Sequence, residues 1–159
     1  MASSRWSWPP SVWCGGTPDD VIDLRRRTSV AWALVGAATI LLAYWLVWFL
    51  GGRSLLASST RPAYVEFENA FPLADAWLGA CALLAAEALW RGRSTALLWL
   101  LAGGGAGVYL AGMDVLYDLQ HDIWTSGSGG AIELVINVIT VTASVATLRW
   151  SWRRRRLLS

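Results

Sequence analysis

The feature that most constrains this chain is a run of 25 residues without a charge, Thr28 to Gly52, bracketed by Arg27 and Arg53. As an α-helix it is about 37 Å long, at ~1.5 Å of rise per residue, enough to cross a ~30 Å hydrocarbon core. Three more apolar runs follow, at about Ala70–Trp90, Thr95–Met113 and Glu133–Trp150. The second differs from the first in carrying charges, Asp75 and Glu87, while the third is uncharged and its pattern continues as a helix through His121. Charged residues make up only 15% of the chain, against about 25% in ordinary globular domains. The reading is an all-α membrane protein, a bundle of four transmembrane helices in a single domain of 159 residues.

Local signals refine the boundaries. Thr17, Pro18, Asp19 and Asp20 form a helix start, with a hydroxyl cap, a proline at the first position and acids in the first turn. The first helix therefore begins before the membrane and enters it past Arg25, Arg26 and Arg27. Pro72 suits a first helical turn, where its missing N–H has no bond to lose. Thr125 to Gly130 reads as a flexible loop between the third and fourth spans. The expected division is a tail over 1–27 with an amphipathic helix start, a transmembrane domain over 28–150 and a basic tail over 151–159.

Orientation follows from the arginines, which supply all 13 basic residues because the chain has no lysine. Arg5, Arg25, Arg26, Arg27, Arg91, Arg93, Arg149 and Arg153 to Arg156 fall on one side of the four spans, and only Arg53 and Arg61 on the other. The positive-inside rule then places both termini in the cytoplasm and the protein in the cell membrane. Residues 1–20 have no apolar stretch of the secretory type. Cys14 and Cys81, one in the tail and one inside a span, are too far apart to pair, and the absence of a C-x-x-C excludes thiol-redox chemistry. One histidine, His121, excludes bis-histidine haem ligation within one chain. No cofactor is indicated.

Acids gather on the side opposite the arginines. Glu66 and Glu68 precede the second span and Asp75 lies about one turn inside it; Asp114, Asp118 and Asp122 follow the third, and Glu133 opens the fourth. Asp114, Tyr117, Asp118 and His121 share one helical face, and Glu133, Asn137, Thr140 and Ser144 form a second polar stripe. Lipid offers such stripes no hydrogen bonds, so they must face protein or water, and a pocket opening outward is expected where they converge. The candidate ligand-binding residues are Asp75, Asp114, Tyr117, Asp118, His121, Glu133 and Asn137. Each has a plainer reading, as a solvated rim, as interhelical packing or, for Asp75, as a structural bond to Asn137 or Tyr117. Asp114, Asp118, His121 and Glu133 would suit Zn, Mn or Fe, but D-x-x-x-D-x-x-H on a helix is short and arises by chance, so no metal is assigned.

Other motifs have structural explanations. Glu87 precedes Arg91 by four, the spacing of an interfacial ion pair. Gly103 to Gly107 lacks the lysine of a nucleotide loop, and Gly103 and Gly107 form a G-x-x-x-G packing face. Of the 12 tryptophans, Trp45 and Trp48 at one boundary and Trp90, Trp150 and Trp152 at the other suit interfacial belts, Trp6, Trp8 and Trp13 suit the inner leaflet, and Trp77 faces lipid or another helix. The terminal Trp152–Arg156 segment suits anionic headgroups rather than nucleic acid.

The segments Glu68–Trp77 and Asp114–His121, followed by Glu133 and Asn137, resemble a group of small bacterial four-helix membrane proteins over roughly residues 30–150. That resemblance implies the fold and the importance of Asp75, Asp118 and Asn137, and it transfers no activity. The layout is also loosely similar to EXPERA proteins, of the emopamil-binding and sigma-2 type, whose acids surround a pocket for sterol-like ligands. Small multidrug-resistance transporters have four helices too, but rely on a glutamate in the first span, which is uncharged here.

The leading functional expectation is binding or transport of a cationic or amphipathic small molecule through the acidic pocket. Two alternatives stand beside it: an accessory or assembly subunit of a membrane complex, and a membrane enzyme acting on a lipid or isoprenoid with Asp75 or Asp118 as general acid or base. Expected partners are the lipid bilayer, a small-molecule or lipid ligand, and a second copy or a partner subunit.

Overall fold

The computed structural model describes residues 18–57, 59 and 61–158. Four long helices dominate: α1 (Pro18–Val47), α4 (Phe71–Trp90), α5 (Thr95–His121) and α6 (Ser128–Arg153). Short helices α2 (Arg53–Leu56) and α3 (Pro62–Glu68) join the first to the second, and α7 (Arg155–Leu158) ends the described chain. All four long helices fall in segments long and apolar enough to cross a membrane. The protein is a four-helix, multi-pass membrane bundle.

The long helices pack in chain order, α1 on α4, α4 on α5 and α5 on α6. Because successive spans run in opposite directions, the bundle has two chemically distinct ends. The C-terminal end of α1, α3, the start of α4, the end of α5 and the start of α6 make one end, which holds the acids. The opposite end holds most of the arginines. Leucine, isoleucine and valine side chains cover the outside of the bundle, with Ile40, Leu50, Leu73 and Ile139 among the exposed ones. That inversion is what lipid as solvent demands.

The first span runs straight only to Val47. Trp48–Gly52 forms a wide π-type turn in which Gly51 takes φ 105°, a left-handed conformation that a side chain resists, and α2 leaves in a new direction. The uncharged run is therefore a helix plus a redirecting turn. Pro18, the first described residue, is already helical, and the expected cap at Thr17 lies outside the described residues. Helix α5 does continue through His121, closed by Asp122 in the left-handed region.

Two connections differ from expectation. The segment before the second span contains a helix of its own, α3, opened by Pro62. The expected loop at Thr125–Gly130 is mostly ordered, as a 3-10 turn over Ile123–Thr125 followed at once by α6 from Ser128. Gly130 sits against the Ile123 carbonyl and the Trp124 backbone, where a Cβ would collide. Its glycine supplies close approach instead of flexibility.

Glycines on α5 set the spacing of the central helices, but not as one G-x-x-x-G face. Gly107 lies against Ser144 of α6, and Gly103 against Cys81 of α4, so the pair serves two neighbours. Trp45 and Trp48 are core residues rather than a belt, buried with Tyr64 and Ile123 beneath the acidic end. Trp90 and Trp152, in contrast, are exposed. Trp77 is exposed as well, with its ring edge-on to Trp99 at 6.4 Å. Trp6, Trp8, Trp13 and Cys14 lie outside the described residues.

Candidate functional site

Three chain segments converge at the acidic end. Glu68 is the last residue of α3, Asp114 lies in the final two turns of α5, and Glu133 lies in the second turn of α6. One carboxylate oxygen from each comes within 4.8 Å of the others. Glu68 and Glu133 are only 6% and 7% exposed, and Asp114 is half-buried. The acids thus close on one another instead of lining an open pocket. Two carboxylates 4.8 Å apart repel by roughly 3 kcal/mol at an effective dielectric of 20. A cluster of three therefore draws in positive charge, as protons or as a cation.

Tyrosines and tryptophans wall the site. The Tyr64 hydroxyl, one turn before Glu68 on α3, bonds to the Glu68 carboxylate. Tyr64 itself is buried. The Trp48 indole N–H donates to Asn69 Oδ1 at 3.1 Å, which pins the α3–α4 joint against the turn that ends α1. Phe67 stacks on Tyr117 with ring centroids 3.8 Å apart, joining α3 to α5.

The expected site residues divide into four groups. Asp114 and Glu133 come together as the sequence suggested. Asp118 and Asn137 form a separate pair, with the Asn137 amide donating to Asp118 Oδ2 at 2.7 Å and the Trp124 indole donating to the same oxygen at 2.9 Å. Asp75 stands apart from both, accepting the Trp45 indole N–H at 2.9 Å, so its partner is neither Asn137 nor Tyr117. Tyr117 and His121 lie on the rim, stacked at 4.1 Å, with His121 Nδ1 donating to the Tyr117 carbonyl at 2.9 Å. The exposed imidazole is not part of the carboxylate trio, and the helical Asp114–Asp118–His121 set does not converge.

Glu68 is the member that sequence reasoning left out of the site. It stands among the acids ahead of the second span, but only the fold of α3 brings it inward. The available signal was Pro62 as a helix opener, which puts Tyr64 and Glu68 on one face four residues apart. The second polar stripe is realised: Glu133 and Asn137 are buried, Thr140 and Ser144 half-buried, and the residues between them exposed. Glu87 is also as expected, with its Oε1 2.9 Å from Arg91 and 3.2 Å from Arg93.

No family model, no curated protein and no solved structure matches the chain, so no finding ties this bundle to EXPERA proteins or to any other family.

Proposed function

We propose that this membrane protein binds a small hard cation, a divalent metal ion, between Glu68, Asp114 and Glu133. The observation that carries the reading is the convergence of three carboxylates from three separate chain segments, largely withdrawn from solvent. An all-oxygen donor set suits Mg²⁺, Mn²⁺ or Ca²⁺ rather than a thiophilic metal. Burial of the trio favours a small ion over a bulky amphipathic cation, which would need an open cavity.

The surroundings support a holding role. Asp118 and Asn137 join α5 to α6, the same helices that carry Asp114 and Glu133, and so fix the spacing of those two ligands. Trp45 and Asp75 tie α1 to α4 alongside. Beyond the acids, the opposite half of the bundle holds an apolar core that includes Ala31, Ala85, Ala88, Leu89 and Leu100.

Thermal denaturation in mild detergent tests the reading. An ion present at about a hundred times its dissociation constant adds ~2.7 kcal/mol, which raises the Tm of a chain this size by about 5–10 °C. Glu68→Gln/Glu133→Gln should lose that shift while melting above the ion-free wild type, because its own repulsion has been removed. Identical wild-type melting in chelator and in each of the three ions would overturn the proposal.

A further inference from the structure

Glu68 and Glu133 are 6% and 7% exposed, so an ion reaches the carboxylate trio only when part of the acidic end moves. Two of the three acids sit on helices that resist moving. Asp114 and Glu133 belong to α5 and α6, which pack extensively on each other and are held by the Asp118–Asn137 bond and the Gly107–Ser144 contact. Displacing either would open an interface between two membrane spans.

Glu68 is mounted differently. Helix α3 is seven residues long, and its main backbone packing is on α4, into which it leads. The joint between them is the Asn69–Ala70 turn, where both residues are exposed. Side chains supply the rest of its hold, and they differ in depth. Tyr64 is 1% exposed, in a core with Trp45, Trp48 and Ile123. Phe67 is half-buried, and its ring lies on that of Tyr117 of α5 with the two planes 8° apart. That stack continues outward to His121, which is exposed. A ring contact at the rim is a much weaker hold than a tyrosine withdrawn into a core.

We infer that α3 is the gate of the carboxylate site, tilting about Tyr64 with the Asn69–Ala70 turn as its hinge and the Phe67–Tyr117 stack as its latch. Its use as an ion gate rests on the cation reading; the tilt itself rests on packing alone. Opening carries Glu68 away from Asp114 and Glu133, which uncovers the other two acids and removes one ligand in a single step. Repulsion among the three carboxylates favours the open position of an empty site. An ion that draws them together favours the closed one, so loading and closure are the same event.

Cysteine labelling in lipid nanodiscs measures the gate without any ion. In a Cys14→Ser background, Glu133→Cys lies on α6, away from α3, and should react slowly with a water-soluble methanethiosulfonate. Loss of the latch by Phe67→Ala or by Tyr117→Ala should speed that reaction about tenfold, because opening of α3 limits it. Gly107→Ala, which disturbs the α5–α6 contact instead, should leave the rate unchanged. Native Cys81, buried on α4, reports general loosening of the bundle and should stay unlabelled throughout. In the chain that keeps all three acids, Phe67→Ala should speed Mn²⁺ uptake and release by the same factor of about ten and leave Kd within about twofold. A wild type that binds no Mn²⁺ while the labelling rates still respond to the latch would refute the cation reading and uphold the gate. Labelling of Glu133→Cys that is indifferent to both latch variants, or that Gly107→Ala speeds equally, would overturn the gate. So would Mn²⁺ binding that Phe67→Ala weakens without changing the rate of uptake.

Discussion

Asp118 bonds α5 to α6 and to the turn between them at the acidic end. It is 1% exposed, and one of its oxygens takes hydrogen bonds from both Asn137 and Trp124. Removing that acceptor strands two donors, at about 1–3 kcal/mol for each buried unsatisfied group. Asp118→Ala should therefore lower stability by about 2–5 kcal/mol in denaturation measurements, whereas Asp118→Asn, which keeps an acceptor oxygen, should lose distinctly less. That Asp118 and Asn137 must face protein or water was legible from the sequence, because polar groups on apolar helices must find partners. Their mutual pairing was not, since helical periodicity gives a face and not the residue opposite. Trp45 and Trp48 carry the same lesson. An indole near a span boundary serves a lipid headgroup or a buried acceptor equally well, and only tertiary packing selected Asp75 and Asn69.

At the scale of elements, the spacing of α5 and α6 depends on which glycines face a neighbour. A Cβ at Gly107 would run into the Ser144 side chain, while one at Gly105 would meet nothing within 4 Å. Gly107→Ala should be destabilising by thermal denaturation, and Gly105→Ala neutral or stabilising by up to ~1 kcal/mol through helix propensity. The two substitutions are chemically identical and two residues apart, so a difference between them isolates packing from backbone entropy. The four spans were readable because hydropathy over about 20 residues is a strong signal. The short pieces were not. Helix α3 is seven residues long and the turn at Trp48–Gly52 is as apolar as the helix it ends, so neither changes the hydropathy pattern. Yet that turn and α3 are what carry Glu68 to the acid cluster, which is why the sequence indicated an acidic end without its third carboxylate.

The whole molecule is polarised, with buried acids at one end and an arginine-rich rim at the other, separated by an apolar core. Arginine placement predicts that the arginine end faces the cytoplasm. In a Cys14→Ser background, where the remaining Cys81 is buried, Ser126→Cys should react with a membrane-impermeant maleimide on intact cells, and Ser94→Cys only after permeabilisation. The reverse pattern would invert the topology and put the acid cluster on the cytoplasmic side. The most direct test of the cation site is an electron paramagnetic resonance titration of Mn²⁺ into the purified bundle in lipid nanodiscs. The account predicts one tightly bound Mn²⁺ per chain in the wild type, released by competing Mg²⁺ or Ca²⁺ and lost in Asp114→Asn. A wild-type chain that leaves all the Mn²⁺ free in solution, or an Asp114→Asn chain that still binds one, would contradict it.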